Sequence, residues 1–421
     1  MALQGPFAVI ADQSARDVVE ALRAAGAYPI IEARWADDAA VLKARPPQAV
    51  ILADGCADRA RAAVLEKALE VQAEQEAGLF TPVIARARDD AAQRFADALV
   101  IGAKAPPERL IGRLNAALRV RNLHATVLRR MRALAARSKQ LPELSDADPL
   151  DEASVLVAGR GRSYPSLCTA AGGHVGVVGA LTVEGAARAL KAREIDGMII
   201  GEGFGARVVE ALLTVLAEEE RFLPVAMVGN HAAVIETFAA SLPNLERVGG
   251  GPQRAIDHLV PYLRLHAFAR RFKRMLASLD ARGAIDPDSG LLANAVFWRN
   301  LNRAIDDADK RGAALSIARF SLPAADRRMS LEAARLVGRL MRQVDFACQE
   351  ADKSIFTVFT ETDLRAAHVV TRRIASLLKK VMLATDGKAA PEPAVTLATL
   401  KPRDTTDSLI ARIVEEPPKP A

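Results

Sequence analysis

Apolar segments recur along the first two thirds of the chain, with helical patterns between them. Four such segments occupy 7–12, 47–55, 81–87 and 98–121, and four more follow in the same order and with similar gaps at 154–160, 195–203, 223–230 and 245–265. Strands that alternate with helices in this way form a parallel sheet covered on both faces. The sequence therefore predicts two tandem α/β domains, each with a doubly wound parallel sheet.

Length and composition limit the class of protein. A chain of 421 residues, half of them hydrophobic and 26% charged, is globular and too long for one core. It has neither a signal-peptide pattern nor an apolar run of about 18 residues, so we expect a cytoplasmic protein without membrane insertion. Cys56, Cys168 and Cys348 are too far apart to suggest a disulfide or a zinc site. The net charge of +6 is modest, and no basic stretch interleaved with aromatic residues indicates nucleic-acid binding.

The segments between and after these strands complete the prediction. Helices are expected at SARDVVEALRAAG and DDAAVLKAR, a linker at 137–153, and a helix at 266–280 that leads out of the second domain. After residue 280 the pattern is different. Helices are expected within 286–312, over 330–345 and over 364–382, and strands are expected at 314–322, 354–359 and 393–400. This pattern predicts an α+β domain with an antiparallel sheet, and the tail 415–421 is predicted to be disordered.

Acidic residues at strand ends suggest an ancestry for the first domain. Asp12 and Asp54 end two of the apolar segments, and Lys104 precedes Ala105-Pro106. This domain, 5–138, resembles a response-regulator receiver, in which an acidic pair binds Mg²⁺ and an aspartate accepts a phosphoryl group. The resemblance makes Asp54 the candidate phosphoacceptor, with Asp12 and Lys104 as its partners. Ala11 and Ala87 stand where the family has an acid and a hydroxyl, so a magnesium ion at Asp12 and Asp54 is the less favoured interpretation.

The second domain, 151–272, resembles a receiver that has lost its chemistry. Gly159-Arg160, Gly201 and Gly250-Gly251 stand in place of the acidic pair, the acceptor and the lysine region. We expect it to serve as an adaptor that packs or dimerises.

In the third domain, 278–416, Ser321 and Pro323 lie at the end of the first predicted strand, and Ala-Asp-Lys-Ser-Ile occupies 351–355. This domain resembles a degenerate GGDEF domain of the nucleotidyl-cyclase-like fold, and the domain order is similar to that of PleD-type receiver–receiver–GGDEF proteins. By this resemblance, Ser321 and Pro323 stand where the family's metal-binding carboxylates belong, and 351–355 replaces the signature turn. The segment from Pro323 to Asp345 is also about ten residues too short for the family's guanine-binding loop. The resemblance therefore implies a domain without catalytic metal ligands, and we expect no enzyme.

A second family feature survives close to the turn. Arg342 and Asp345 form the Arg-x-x-Asp motif at the offset of the family's inhibitory site for cyclic di-GMP, and Arg373, next to Arg372, stands at the offset of its additional arginine. Six other Arg-x-x-Asp segments occur, so position distinguishes this one. An arginine and a carboxylate together match the hydrogen-bonding edges of guanine. The alternative is an ordinary ion pair between residues three apart.

Together with the resemblance, these observations predict a non-catalytic cyclic di-GMP receptor. We expect it to regulate the recruitment of protein partners and to contain no cofactor. The resemblance further implies a homodimer and a cell-cycle adaptor for proteolysis, located at a cell pole. Two alternatives stay open: a ligand-independent dimeric scaffold of the signalling pathway, and, much less favoured, a cyclase with displaced metal ligands.

Overall fold

The computed structural model describes residues 3–12, 15–37, 42, 46–54, 59–75, 78–87, 98–103, 105–135, 147–220, 222–229, 232–311, 313–323, 325–342, 344–382 and 393–414. The chain divides into two compact units. One contains Met1–Ala133, Ser154–His174 and Val178–Phe272, and the other contains Leu134–Ala153, Val175–Val177 and Lys273–Ala421. Among the described helices, none combines the length and the apolarity that a membrane span requires.

The first unit begins with a five-stranded parallel sheet. Its elements are β1 (Gln4–Ile10), α1 (Arg16–Ala24), β2 (Tyr28–Ala33), β3 (Ala49–Leu52), α2 (Arg59–Gln75), β4 (Val83–Ala87), β5 (Leu99–Gly102) and α3 (Pro107–Ala135). The strand order is β2-β1-β3-β4-β5, and every pairing is parallel. Because successive side chains of a strand point to opposite faces, Phe7 and Val9 pack with α1 and α3, whereas Ala8 and Ile10 pack with α2. The sheet is therefore doubly wound, as the sequence predicts.

A second sheet of the same topology follows along the chain, and most of its residues lie in the same unit. Its elements are β6 (Ser154–Ala158), α4 (Tyr164–Gly172), β7 (Gly176–Ala180), α5 (Val183–Ala192), β8 (Gly197–Ile200), α6 (Ala206–Glu219), β9 (Val225–Met227), α7 (Ala232–Phe238), β10 (Leu245–Arg247) and α8 (Pro252–Asp280). The order β10-β9-β8-β6-β7 matches that of the first sheet, strand for strand. The pairs β10–β9, β9–β8 and β8–β6 are parallel.

Sequence reasoning missed one strand in each sheet, and in both cases it is the second strand in chain order. β2 and β7 both lie at an edge of their sheet. Pro29 interrupts the first of these strands, and Gly176 and Gly179 weaken the pattern of the second. Proline and glycine are tolerated at edges but obscure the strand signal. The expected helix DDAAVLKAR lies almost entirely outside the described residues.

A buried arginine joins the two sheets of this unit. The side chain of Arg113, on α3, is fully buried and donates hydrogen bonds to the carbonyl oxygens of Val100 (2.8 Å) and Pro243 (3.1 Å). It also contacts the Glu246 carboxylate and the Tyr262 hydroxyl. Burial lowers the pKa of Arg113, and the charge of Glu246 opposes this effect. Because a buried charge is tolerated only when it is paired and hydrogen-bonded, these contacts fix β5 and α3 against β10 and α8.

The second unit has one antiparallel sheet. Its elements are a 3₁₀ helix (Pro149–Glu152), α9 (Asn294–Arg311), β11 (Leu315–Ser321), α10 (Arg327–Leu340), β12 (Phe346–Gln349), β13 (Ile355–Thr360), α11 (Leu364–Met382), β14 (Ala394–Thr399) and α12 (Thr406–Val414). The order is β12-β13-β11-β14, with antiparallel pairings throughout. Helices α10 and α11 cover one face of the sheet, and α9 and α12 cover the other.

Three boundaries differ from the prediction. The helix expected over 330–345 spans Arg327–Leu340, because Asp326 caps its start and its amphipathic pattern ends at Leu340. Phe346–Gln349 form β12, a strand that the prediction did not include, and β12 and β13 make a hairpin. The helix expected at 266–280 is the second half of the 29-residue α8. The tail 415–421 lies outside the described residues.

A buried carboxylate holds the 3₁₀ helix in the second unit. The Glu152 side chain is only 4% exposed and accepts from Arg335 (2.8 Å), Arg274 (3.0 Å) and Arg327 (3.4 Å). Arg335 donates further to the carbonyl oxygen of Asp288. Two of these arginines lie on α10, so this network, which we call the Glu152 cluster, fixes the position of that helix.

Candidate functional site

The Arg-x-x-Asp motif lies in the tight turn between α10 and β12. The backbone N–H of Asp345 donates to the carbonyl oxygen of Arg342 (3.0 Å), which closes the turn. The Arg342 side chain donates through Nε to Asp345 Oδ2 (2.9 Å) and through Nη2 to Oδ1 (3.1 Å). This is a two-point guanidinium–carboxylate pair, and its hydrogen bonds raise the pKa of Arg342. The Arg342 side chain is 58% exposed, whereas that of Asp345 is 3% exposed.

Two threonines at the end of β13 hold this pair in place. The backbone N–H of Thr360 donates to Asp345 Oδ1 (3.1 Å), and Arg342 Nη2 donates to the carbonyl oxygen of Thr360 (3.2 Å) and to Thr362 Oγ1 (2.8 Å). Between them Glu361 adopts a left-handed backbone conformation, with φ near 50°. Sequence reasoning missed both threonines, because no pattern in the sequence distinguishes them from other polar residues that follow a strand.

The two additional arginines lie on the exposed face of α11. Arg372 and Arg373 form no hydrogen bond or ion pair with any residue that the structure describes. Arg373 follows the first residue of α11, Leu364, by nine positions, which is about 14 Å along the helix axis. Thr362, which contacts Arg342, lies just before that helix. The structure thus places the arginines on the element next to the Arg342–Asp345 pair but not in contact with it.

The signature-turn positions lie at the tip of the hairpin between β12 and β13. Asp352 accepts from the backbone N–H (2.9 Å) and hydroxyl (2.6 Å) of Ser354, and from Arg319 (2.6 Å). Burial raises the pKa of Asp352, but these hydrogen bonds outweigh burial and lower it below its ordinary value. Lys353 has a left-handed φ of 67° and donates to the carbonyl oxygen of Ala325 (2.8 Å). Glu350 accepts from Asn294 and Trp298, both at 3.1 Å.

This hairpin does not offer a fitting site for catalytic metal ions. Its carboxylates are engaged by N–H and O–H donors, and two cations, Arg319 and Lys353, stand beside them. Ser321 pairs with Ala394 at the sheet edge and provides no carboxylate. Within the described ranges, no group of three or more histidine, cysteine or acidic side chains is arranged to hold a metal.

In the first sheet, the structure brings Asp12 and Asp54 together at the carboxyl ends of β1 and β3. The backbone N–H of Asp12 donates to Asp54 Oδ2 (2.7 Å), Trp35 Nε1 donates to Oδ1 (3.2 Å), and Arg61 donates to Asp12 Oδ2 (2.9 Å). Three of the four carboxylate oxygens are therefore engaged by N–H groups, and one of these groups belongs to the Arg61 guanidinium. This donor set does not fit Mg²⁺. Lys104 lies outside the described residues, and phosphorylation of Asp54 stays a prediction.

In the second sheet, the corresponding loops bond to each other. The backbone N–H groups of Arg160 and Gly161 both donate to the carbonyl oxygen of Glu202, at 2.9 and 3.2 Å. A Cβ atom on Gly161 would lie 2.6 Å from Glu202 Cβ, so only glycine permits this approach. The contact joins the loop that follows β6 to the loop that follows β8.

Comparisons with known proteins give fold-level likeness alone. No protein-family model matches the chain, and no curated protein matches it. Among solved structures, the chain is similar to the coiled-coil and GGDEF domain of DgcB from Caulobacter crescentus in complex with c-di-GMP, at 17% identity over 34% of this chain and 84% of that chain, with a TM-score of 0.31. It is also similar to the GGDEF domain of FimX from Pseudomonas aeruginosa, at 14% identity over 31% and 90%, with a TM-score of 0.28.

A third neighbour is the diguanylate cyclase SiaD from Pseudomonas aeruginosa in complex with its activator SiaC, at 16% identity over 34% of this chain and 64% of that chain, with a TM-score of 0.29. These structural neighbours contain GGDEF domains. Identities below 20% and TM-scores near 0.3 establish neither family membership nor a ligand.

Proposed function

We propose that the chain is a non-catalytic receptor for cyclic di-GMP, which binds at Arg342 and Asp345 with Arg372 and Arg373 on the neighbouring helix. The observation that carries this proposal is the Arg342–Asp345 pair itself, a bidentate pair on an exposed turn. The segment Arg303–Asp306 on α9 has the same spacing but forms no ion pair among the described residues. Position and local geometry therefore distinguish the proposed site from this segment.

The chemistry of the pair suits a guanine base. A guanidinium can donate two hydrogen bonds to O6 and N7, and a carboxylate can accept from N1–H and from the exocyclic amine. Arginine also stacks on purine faces. Arg372 and Arg373 have no competing partner among the described residues and add positive charge toward the phosphates of a dinucleotide.

The hairpin at 350–354 supports a non-catalytic role. Cyclisation of GTP requires metal ions that activate a hydroxyl and neutralise phosphate charge. Arg319 and Lys353 provide positive charge at this position, and the carboxylates of Asp352 and Glu350 are engaged by protein donors. These contacts favour a domain that has this fold but does not catalyse the cyclisation of GTP.

We further propose that ligand binding regulates the recruitment of protein partners. A ligand shifts a conformational equilibrium only through its different affinities for the two states. The domain order resembles that of PopA-type regulators, and by this resemblance the chain acts as a homodimeric adaptor of cell-cycle proteolysis at a cell pole. This part of the proposal rests on likeness of architecture alone.

Calorimetric titration of cyclic di-GMP into the purified full chain tests the proposal. Arg342→Ala should abolish binding, whereas the matched control Arg303→Ala, which removes the arginine of the other Arg-x-x-Asp segment, should leave it unchanged. GTP should give no heat. Equal loss of binding in both variants, or equal retention, would contradict the proposed site.

A ligand-independent scaffold is the second candidate. It is favoured by the burial of Asp345, which is 3% exposed and accepts three hydrogen bonds, as a purely structural ion pair would be. For a scaffold, no nucleotide would bind to the wild type, and Arg342→Ala would change only the thermal stability.

A further inference from the structure

The groups that would contact guanine are already bonded to each other. Asp345 Oδ1 accepts from Arg342 Nη2 and from the backbone N–H of Thr360, and Oδ2 accepts from Arg342 Nε. In turn, Arg342 Nη2 is shared among Asp345, the carbonyl oxygen of Thr360 and Thr362 Oγ1. Within the described chain, Nη1 alone among the three guanidinium nitrogens of Arg342 has no acceptor.

This arrangement cannot receive a base edge without a change. Recognition of N1–H and the exocyclic amine requires access to the carboxylate, yet the Asp345 side chain is 3% exposed and lies under Arg342. Recognition of O6 and N7 requires two guanidinium nitrogens on one side, whereas Nε and Nη2 both face Asp345. In this arrangement of the described residues, only Nη1 is open to a base. A two-point contact to O6 and N7, or any contact to the Asp345 carboxylate, therefore requires Arg342 to move away from Asp345.

Thr362 is the side chain that strengthens the closed pair from outside the motif. It is 7% exposed; its hydroxyl accepts from Arg342 Nη2 at 2.8 Å and donates to the carbonyl oxygen of Thr360 at the same distance. The hydroxyl thus bonds to Arg342 and to Thr360, whose backbone N–H donates to Asp345.

We propose that Thr362 is a positioning residue that sets the affinity of the proposed site by holding Arg342 on Asp345, so that the ligand competes with an internal hydrogen-bond network. This inference rests on the proposed function. When the competent conformation is only a fraction of the population, the apparent dissociation constant rises in inverse proportion to that fraction. Removal of a bond that is present only in the closed pair therefore tightens ligand binding, whereas loss of a supporting residue would weaken it.

The variants Thr362→Val and Thr362→Ser separate these two roles. Valine has nearly the shape of threonine but lacks the hydroxyl, and serine keeps the hydroxyl. Loss of one hydrogen bond to a partly exposed arginine should tighten cyclic di-GMP binding roughly three- to tenfold, and Thr362→Ser should restore the wild-type value. The matched control is Thr357→Val, which replaces a buried threonine three residues before Thr360 whose hydroxyl donates only to the carbonyl oxygen of Ala318 (3.4 Å).

Cyclic di-GMP is titrated into the wild type, Thr362→Val, Thr362→Ser and Thr357→Val, with far-ultraviolet circular dichroism as a check on folding. The four dissociation constants test the role of Thr362. Tighter binding by Thr362→Val alone supports the inference, and unchanged or weaker binding overturns it. If that variant does not fold, Thr362→Ala takes its place with the same expected direction. Absence of binding to the wild type would instead refute the proposed function, so the two failures are distinguishable.

Discussion

Glu152 provides a quantitative test of how the second unit is held together. Replacement of Glu152 by glutamine keeps the shape of the side chain but removes its charge. Arg335 is 8% exposed and Arg274 is 16% exposed, so both would lose the carboxylate that compensates them in a poorly hydrated environment. Removal of one partner from a buried ion pair costs about 3–5 kcal/mol. Arg335 keeps its bonds to the Asp288 carbonyl, so we expect about 3 kcal/mol.

Urea unfolding followed by tryptophan fluorescence measures this loss. The chain has two tryptophans, so in a Trp35→Phe background the signal comes from Trp298, which lies in the second unit. With a denaturant dependence of about 2 kcal/mol per molar urea, Glu152→Gln should lower the midpoint by about 1.5 M. Asp309→Asn, on the exposed side of α9, is the control and should change it little.

A double-mutant cycle identifies the cause. The cycle compares Glu152→Met, Arg335→Met and the variant with both substitutions. The double variant should lose clearly less free energy of unfolding than the two single variants lose in sum. A loss below about 0.5 kcal/mol for Glu152→Gln would instead show that the Glu152 cluster is well hydrated and does not hold the second unit together.

Three further predictions concern other parts of the chain. His124 is stacked between Phe80 and Phe272, and burial first and Arg121 second lower its pKa to about 4 from an ordinary value of 6.5. Because the unfolded state binds the proton at a higher pH than the folded state, the contribution of His124 to the free energy of unfolding should be constant above pH 6.5. Between pH 6.5 and 4 it should fall by about 1–2 kcal/mol, a figure reduced for partial hydration of the ring. Chemical unfolding across this range checks the prediction, and His124→Phe should remove this part of the pH dependence. Incubation with GTP and magnesium or manganese should release no pyrophosphate above background, and turnover comparable with a cyclase would contradict the reading of the hairpin. Beryllofluoride should not change the fluorescence of Trp35, whose Nε1 donates to Asp54, and a saturable change that Asp54→Asn abolishes would restore the phosphoacceptor hypothesis.

The parallel sheets could be predicted from the sequence because their central strands are uniformly apolar. β3 and β8, for example, are buried at every position, and such runs between helical patterns have few other interpretations. The edge strands β2 and β7 could not be predicted, since their exposed or glycine-containing sequences resemble loops. α11 was predicted with its observed bounds because its apolar periodicity is uninterrupted.

The candidate site was only partly accessible from the sequence. Spacing indicated the pair of Arg342 and Asp345, but their mutual engagement depends on Thr360 and Thr362, which come from a different strand end. Likewise, nothing in the sequence linked Glu152 to arginines more than 120 positions away. Contacts between residues this far apart depend on the tertiary fold, which local patterns do not encode.

A structure of the full chain determined with cyclic di-GMP would test the proposed ligand site directly. We expect a guanine base whose O6 or N7 lies about 2.7–3.2 Å from the Arg342 guanidinium, with that side chain moved away from Asp345 and with Arg372 or Arg373 close to a phosphate. A ligand bound at the 350–354 hairpin, or an Arg342–Asp345 pair unchanged beside a ligand bound elsewhere, would contradict it.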